Sequence, residues 1–308
     1  MQITRHPITS REDWLHLRKR AVGASEVGAL FGHNPYKSRM SLYFEKSGRL
    51  TPDTDESLAM RRGRLLESAV AEAVREVRPE WKIEKAVEWL CAEDIGMAAT
   101  PDFIVHCPKR GRGVLQAKVV IPAVWESNWT PTMAPLWIAL QVQQEMLLEG
   151  VSWGAIGVLV ADMWKLPLAL YELSAHPGTQ AKLVAAVERF WGDVRVGNVP
   201  ALDPERDYDT VRALYPQDNG KAIDLSRDNR IGELLTQRET LKDSKNAAEK
   251  ELRVIDTEIL DKIGAATTAY LPGWRIKCGL IKVKAHAVAE SSYRRLTATR
   301  VREQENAA

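Results

Sequence analysis

Asp102, Gln116 and Lys118 are the residues of this chain whose types and spacing could do chemistry together. They lie in or beside two apolar runs, residues 98–105 and 113–120, which are rich in Val, Ile and Leu. Each run is typical of a short buried strand, and the Pro, Lys, Arg and Gly between them predict a hairpin. Because an unpaired charge is costly in a buried strand, an Asp and a Lys placed there need partners or a function.

The spacing favours phosphodiester hydrolysis assisted by a metal ion. Residues two apart on a strand face the same side, so Gln116 and Lys118 project together where Asp102 can meet them. An acid with a second oxygen ligand can hold Mg²⁺, and a lysine can position or activate the attacking water. The pattern Pro-Asp…(Asp/Glu)-x-Lys is typical of such sites, although position 116 holds glutamine instead of an acid. The competing interpretation is a plain hairpin, with Asp102 capping a turn and Lys118 reaching solvent.

Composition narrows the class of protein. The 308 residues are 45% hydrophobic and 27% charged, which is ordinary for a globular protein. With a formal net charge of only +2, any contact with DNA must come from local basic patches. Three cysteines without pairing or metal-ligand spacing indicate a reducing compartment. Because the sequence shows neither a membrane-spanning apolar run nor the apolar core of a signal peptide, we expect a cytosolic protein.

Two candidates lie on predicted helices near the hairpin. The apolar period predicts a helix over residues 57–77, where Glu67 is either a solvated acid or an inward-facing carboxylate near the metal. A second apolar helix is predicted over residues 136–148, and Gln141 lies in its apolar half. A glutamine buried there needs a polar partner.

The segment 12–31 offers a candidate phosphate site. It predicts a helix, a turn and a second helix that begins with Ser25 as its N-cap. A helix N-terminus with a free hydroxyl and the nearby Arg18 could bind a phosphate, and the alternative is simply a well-capped helix. The remaining segments predict strands over 82–90, 155–161 and 166–173, a long loop over 122–136 and a helix over 181–194.

The C-terminal part of the chain has a different composition. A linker over 203–219 that contains Pro and Asp predicts a domain over 1–205 and an extension over 206–308. Within the extension, residues 229–263 predict a long charged helix, and residues 269–296 predict a hairpin with several basic residues. The long helix carries a weak coiled-coil stripe, which comprises Leu234, Leu241, Leu252 and Ile259.

The joint order of these motifs resembles the family of phage lambda exonuclease and the YqaJ-like viral recombinases. The resemblance covers about residues 12–195 and is carried by Trp14, Arg18, Gly23-Ala24-Ser25-Glu26, Gly63, Glu67, Thr100-Pro101-Asp102, Gln116-Ala117-Lys118 and Gln141-Val142-Gln143. It implies an α/β protein with the PD-(D/E)XK nuclease fold, a mixed central sheet flanked by helices. It also implies Mg²⁺-dependent digestion, with Mn²⁺ as a substitute ion, of one strand of duplex DNA in the 5′-to-3′ direction.

The resemblance implies a role for each candidate residue. By position, the implied metal ligands are Asp102, Gln116 and the carbonyl of Ala117, and the implied catalytic lysine is Lys118. Glu67 would be a supporting acid, and Gln141 a structural or water-positioning group. Arg18 and Ser25 would bind the 5′-phosphate. The implied partners are duplex DNA ends, a single-strand annealing protein and further copies of the chain in a ring-shaped trimer. The implied location is the cytoplasm of a bacterial host, with the gene carried by a phage or prophage.

Gln116 departs from the family pattern. An amide oxygen can ligate Mg²⁺ but brings no charge, and the attraction between unit charges ~4 Å apart is about 4 kcal/mol at an effective dielectric near 20. The sequence leaves three explanations open: a weakened or inactive copy, a substitution engineered to hold a complex, or compensation by another acid. Two functions therefore stand, a metal-dependent DNA exonuclease and a non-catalytic DNA-end-binding or recombination-scaffold protein. A restriction-type endonuclease is less favoured because the sequence shows no separate DNA-reading domain.

Overall fold

The computed structural model of the chain describes residues 1–51, 57–162, 164–283, 290 and 293–298. Met1–Leu214 form one compact unit and Tyr215–Ala308 form another. Asp207 lies beyond the end of the domain predicted over 1–205, yet it is fully buried and accepts a hydrogen bond from the Ser38 hydroxyl. The first unit therefore continues through a short helix, α7 (Tyr208–Leu214).

A mixed sheet organises the first unit. Its strands, in spatial order, are β3 (Lys82–Lys85), β6 (Phe103–Cys107), β7 (Gly111–Val120), β8 (Trp153–Val160) and β9 (Leu168–Ser174). β6 and β7 form the predicted antiparallel hairpin, with Phe103 opposite Leu115. β7 and β8 run parallel, while the other neighbours in this sheet are antiparallel. The predicted α/β fold with a mixed central sheet is confirmed.

A parallel pair of strands needs a crossover connection, and residues 121–152 supply it between β7 and β8. This segment contains α4 (Pro122–Asn128) and α5 (Leu136–Glu149). The long loop predicted over 122–136 is therefore wrong over its first half. Proline at the first position of a helix loses no intrahelical hydrogen bond, so Pro122 begins α4 instead of preventing it.

The sheet is covered by a different helix on each face. α3 (Leu58–Val77) packs with Leu115 on one face, and α5 packs with Val114 on the other. Because side chains alternate along a strand, Gln116 and Lys118 share the α5 face with Val114. The predictions of helices over 57–77 and 136–148 are confirmed, and the helix predicted over 181–194 is longer, α6 (Pro177–Val196).

Another sheet of the first unit has the strand order β1 (Ile3–Pro7), β4 (Glu88–Ala92), β5 (Met97–Ala99) and β2 (Val22–Gly23). The strand predicted over 82–90 is therefore wrong as a single element, because its halves belong to different sheets. The run 98–105 is divided too, between β5 and β6. Pro101 cannot donate a ladder hydrogen bond, so the chain leaves one sheet there and enters the other, and Asp102 stands at the junction.

The N-terminal segment differs from the predicted pair of helices. It begins with α1 (Arg11–Arg18), but the second helix is a short 3₁₀ helix, Val27–Phe31. Ser25 as an N-cap is wrong, because Glu26 holds that position and makes no side-chain cap. The Glu26 carboxylate instead accepts a hydrogen bond from the Gly23 amide at 3.0 Å, which closes the preceding turn. The next helix, α2 (Arg39–Lys46), follows the N-cap Ser38, whose side chain accepts a hydrogen bond from the backbone nitrogen of Ser41.

The second unit contains the predicted long helix, α8 (Asn229–Ile263), which begins after the N-cap Asp228. None of the α8 side chains that the structure describes is buried. The hairpin that follows is tighter than predicted, with β10 (Thr268–Leu271) paired to β11 (Trp274–Lys277). Residues 284–289 and 291–292 of the predicted hairpin lie outside the described residues. In the described part of the chain, no helix has the length and apolar character needed to span a membrane.

Candidate active site

Asp102 receives two hydrogen bonds on one carboxylate oxygen at the junction between the sheets. Nε2 of Gln116 lies 2.5 Å from Oδ2 of Asp102, and the backbone nitrogen of Ala117 lies 2.9 Å from the same oxygen. Burial raises the pKa of Asp102. The positive charge of Lys118 acts to lower this pKa, and the negative charge of Glu67 acts to raise it. The hairpin therefore brings Asp102, Gln116 and Ala117 into direct contact, through the amide nitrogens of Gln116 and Ala117 and not through their oxygens. Their role as metal ligands stays a prediction.

Lys118 and Gln141 face each other between β7 and α5. Nζ of Lys118 lies 3.5 Å from Oε1 of Gln141, and Nε2 of Gln141 donates a 2.8 Å hydrogen bond to Oε1 of Glu145. The polar partners expected for a glutamine in an apolar helix are thus a lysine from the sheet and an acid from its own helix. Lys118 does not simply reach solvent, because it points toward the helix that covers this face of the sheet.

Glu145 is not among the residues predicted from the sequence, although it belongs to this cluster. Its side chain is fully buried one helical turn after Gln141. Burial, together with the charge of Asp102, raises the pKa of Glu145 to about 8. A signal was present in the sequence: an acid four residues after Gln141 lies on the same helix face, in a helix that is apolar nearly all round.

Glu67 approaches the cluster from α3, which covers the other face of the sheet. Its carboxylate forms an ion pair with Lys85 of β3, and its side chain is 28% exposed. Its charge nevertheless acts on Asp102 and raises the pKa of that carboxyl. Glu67 is therefore near the cluster, as the inward-facing interpretation requires, but it is already paired.

Arg18 and Ser25 line one cleft, with a volume of about 710 Å³. The Arg18 guanidinium donates a 2.6 Å hydrogen bond to Glu26 and lies 4.6 Å from the centroid of the Trp14 ring. Four Lys or Arg side chains and three Glu side chains line the cleft; these are Arg18, Lys19, Lys37, Lys46, Glu12, Glu26 and Glu45. The lining thus carries one more positive than negative charge, and the role of Arg18 and Ser25 as a phosphate clamp stays a prediction.

Glu26 anchors the cations of this cleft. It is 3% exposed, and its carboxylate oxygens lie 2.6 Å from Arg18, 2.7 Å from Lys46 and 3.6 Å from Lys37. Burial alone would raise the pKa of Glu26, but Lys46, Arg18 and Lys37 together hold it well below its usual range. Burial lowers the pKa of Lys46, and the charges of Arg18 and Lys37 lower it further, against the opposing effect of Glu26.

Residues 13–152 match the model of the YqaJ-like viral recombinase domain, and this span contains every predicted site residue as well as Glu145. This segment is therefore similar to the YqaJ-like viral recombinase domain. The chain as a whole is 24% identical, over 275 residues, to the uncharacterised protein YqaJ of Bacillus subtilis (strain 168). That match covers 86% of this chain and 82% of the Bacillus protein.

Solved structures with a related arrangement include the alkaline exonuclease LHK-Exo from Laribacter hongkongensis and a phage-related exonuclease from Haemophilus somnus 129PT. LHK-Exo is 20% identical, with a TM-score of 0.47 over 66% of this chain and 97% of that chain. The Haemophilus protein is 13% identical, with a TM-score of 0.41 over 60% of this chain and 99% of that chain.

The residues around Asp102 fit a divalent cation. Oε1 of Gln116 and Oε2 of Glu145 are buried and meet no hydrogen-bond partner among the described residues. Mg²⁺ prefers oxygen ligands, and a bound cation would satisfy such atoms. Over the described ranges, no group of three or more His, Cys, Asp or Glu side chains is placed to hold a metal ion. The oxygens that meet at this place are those of Asp102, Gln116 and Glu145.

Proposed function

We propose that this chain is a Mg²⁺-dependent exonuclease, with Mn²⁺ as an alternative ion, that digests one strand of duplex DNA from its 5′ end. The observation that carries the proposal is the meeting of Asp102 with Gln116 and the Ala117 backbone, beside Lys118 on the same strand. The match of residues 13–152 to a YqaJ-like viral recombinase domain supports a role in phage-type recombination. The remaining 3′ single strand would then serve an annealing protein in the bacterial host cell.

The residues around Asp102 would have separate roles in phosphodiester hydrolysis. When bound, the cation supplies Lewis-acid stabilisation of the charge that develops on the scissile phosphate. Asp102, Gln116 and the Ala117 carbonyl would hold it. Lys118 makes a long 3.5 Å contact to Gln141, and its ammonium group would donate further hydrogen bonds to position the attacking water.

The direction of digestion rests on the cleft that Arg18 and Ser25 line. Met60, in the first turn of α3, lines this cleft, while Glu67 of the same helix acts electrostatically on Asp102. The same helix thus borders the cleft that would take the terminal phosphate and the cluster that would cleave the strand.

A non-catalytic DNA-end-binding protein is the second candidate. The observation that favours it is the orientation of Gln116. Its side chain donates a hydrogen bond from Nε2 to Asp102, whereas a metal ligand would turn its amide oxygen toward the cation beside Asp102. A ring-shaped trimer would keep the chain on DNA whether it is an exonuclease or an end-binding protein. Light scattering in solution measures this oligomeric state.

A digestion assay with end-labelled linear duplex and closed circular duplex tests the proposal. We expect Mg²⁺-dependent release of 5′ nucleotides from the linear substrate, none from the circle, and no digestion by Asp102→Asn. Equal attack on the circle would indicate an endonuclease. Binding of linear ends without digestion, at any Mg²⁺ or Mn²⁺ concentration, would favour the scaffold.

A further inference from the structure

Glu145 is a buried acid of α5 to which the proposed exonuclease mechanism gives no task. Its side chain is 0% exposed, and Oε1 accepts the 2.8 Å hydrogen bond from Gln141. Oε2 is buried and meets no partner among the residues that the structure describes. A buried oxygen without a partner is destabilising, so a group of this kind needs a ligand to explain it.

The neighbours of Glu145 are the residues of the Asp102 cluster. The charges of Asp102 and Lys118 both act on Glu145, and Gln141 connects Glu145 to Lys118. The other unsatisfied oxygen of the cluster is Oε1 of Gln116, on the strand that α5 covers. Glu67 is less suited to complete the site, because it belongs to the helix on the other face and its carboxylate already pairs with Lys85.

We infer that Glu145 supplies the second carboxylate of the metal site, in place of the acid that position 116 lacks. The inference rests on the proposed function, in which the Asp102 cluster holds a divalent cation. With Asp102 alone the protein offers that cation one negative charge, and Glu145 brings a second from the helix instead of the strand. Mg²⁺ and Mn²⁺ favour anionic oxygen ligands, so the position of the carboxylate can move while the charge of the site is kept.

Mn²⁺ binding to the full chain, measured by calorimetry without DNA, tests this role independently of activity. Glu145→Gln keeps the volume of the side chain and a hydrogen-bonding partner for Gln141, but removes the carboxylate. We expect its Mn²⁺ affinity to fall at least about tenfold, the scale on which outer-shell changes alone lower the affinity of metal sites. The double variant Gln116→Glu/Glu145→Gln returns one carboxylate to the strand and should recover most of the lost affinity.

Glu149→Gln is the matched control. It removes a buried carboxylate one turn further along α5, where Glu149 pairs with Arg5 and Arg112 instead of the cluster. We expect its Mn²⁺ affinity to stay within about twofold of the unmodified protein. Thermal unfolding without metal ion verifies that each variant is folded.

The outcomes distinguish failure of the inference about Glu145 from failure of the proposed metal-dependent function. If the unmodified protein binds Mn²⁺ and Asp102→Asn abolishes binding while Glu145→Gln does not weaken it, Glu145 is a structural residue and the inference is wrong, but the metal site stands. If the unmodified protein binds no Mn²⁺, the proposed metal-dependent function itself fails. If Glu145→Gln loses Mn²⁺ affinity and the double variant does not recover it, the inference that the carboxylate of Glu145 replaces an acid at position 116 is also wrong.

Discussion

Gln116→Glu tests the electrostatics of the cluster in the metal-free protein. The change replaces the amide that donates to Asp102 at 2.5 Å with a second carboxylate. Two such charges ~4 Å apart repel by about 4 kcal/mol at an effective dielectric near 20. Taking up a proton at pH 7 instead costs about 3.7 kcal/mol for an acid with an ordinary pKa near 4.3. We therefore expect the free energy of unfolding in EDTA to fall by about 2–4 kcal/mol.

Mg²⁺ should reverse this loss, because a ligand at 100 times its Kd adds about 2.7 kcal/mol to the stability of the folded state. Urea unfolding in EDTA and in Mg²⁺, followed by tryptophan fluorescence, measures both effects, and single-turnover cleavage should be faster for the glutamate form. Gln143→Glu is the control, since Gln143 is also buried but bonds to Ser174 and His176. Equal stability of Gln116→Glu and the unmodified protein in EDTA, or no greater rescue by Mg²⁺ than in the control, would refute the reasoning.

The remaining predictions concern the ligand, the clamp, the cleft and the extension. Asp102→Asn should abolish Mn²⁺ binding and digestion while the protein stays folded, and calorimetry that shows unchanged binding would contradict the site. Arg18→Ala should reduce the preference for 5′-phosphorylated over 5′-hydroxyl ends, and equal rates on both ends in the unmodified protein would contradict the clamp. Glu26→Gln should lower the free energy of unfolding by about 3 kcal/mol at pH 7, because it leaves buried cations unpaired. The pKa of Glu26 is lowered in the folded state, so its stabilisation is present above the pKa of the unfolded chain and is lost as pH falls through the folded value. Urea unfolding across pH should therefore show the two proteins converging in acid, and a constant difference would argue against the ion pairs. Removing residues 220–308 should leave the first unit folded, with a cooperative thermal transition, and a chain without such a transition would show that the extension belongs to the core.

The β6–β7 hairpin and the large helices were predictable because their signals are local. Alternating apolar residues fix which side chains share a face, so the pairing of Gln116 with Lys118 follows from spacing alone. A glutamine in an apolar helix signals a polar partner, and Gln141 has two of them. These features depend on residues only a few positions apart.

The rest depends on contacts between distant segments. The division of the run 98–105 follows from Pro101 only when both sheets are known, and the replacement of the Ser25 cap depends on the cations that gather around Glu26. For Glu145 the sequence carries only its spacing from Gln141 in an apolar helix, and the fold is needed to show that the side chain is fully buried and acts on Asp102. No spacing rule links residue 145 to residue 102.

The parallel pairing of β7 with β8 has a consequence for the newly synthesised chain. Asp102 and Lys118 leave the ribosome on a hairpin that can form early, but Gln141 and Glu145 arrive on the crossover helix, which docks only when β8 has been made. Closing a crossover of this length is slower than forming a hairpin. Until about residue 160 has emerged, the unfinished polypeptide thus holds only the strand half of the proposed metal site.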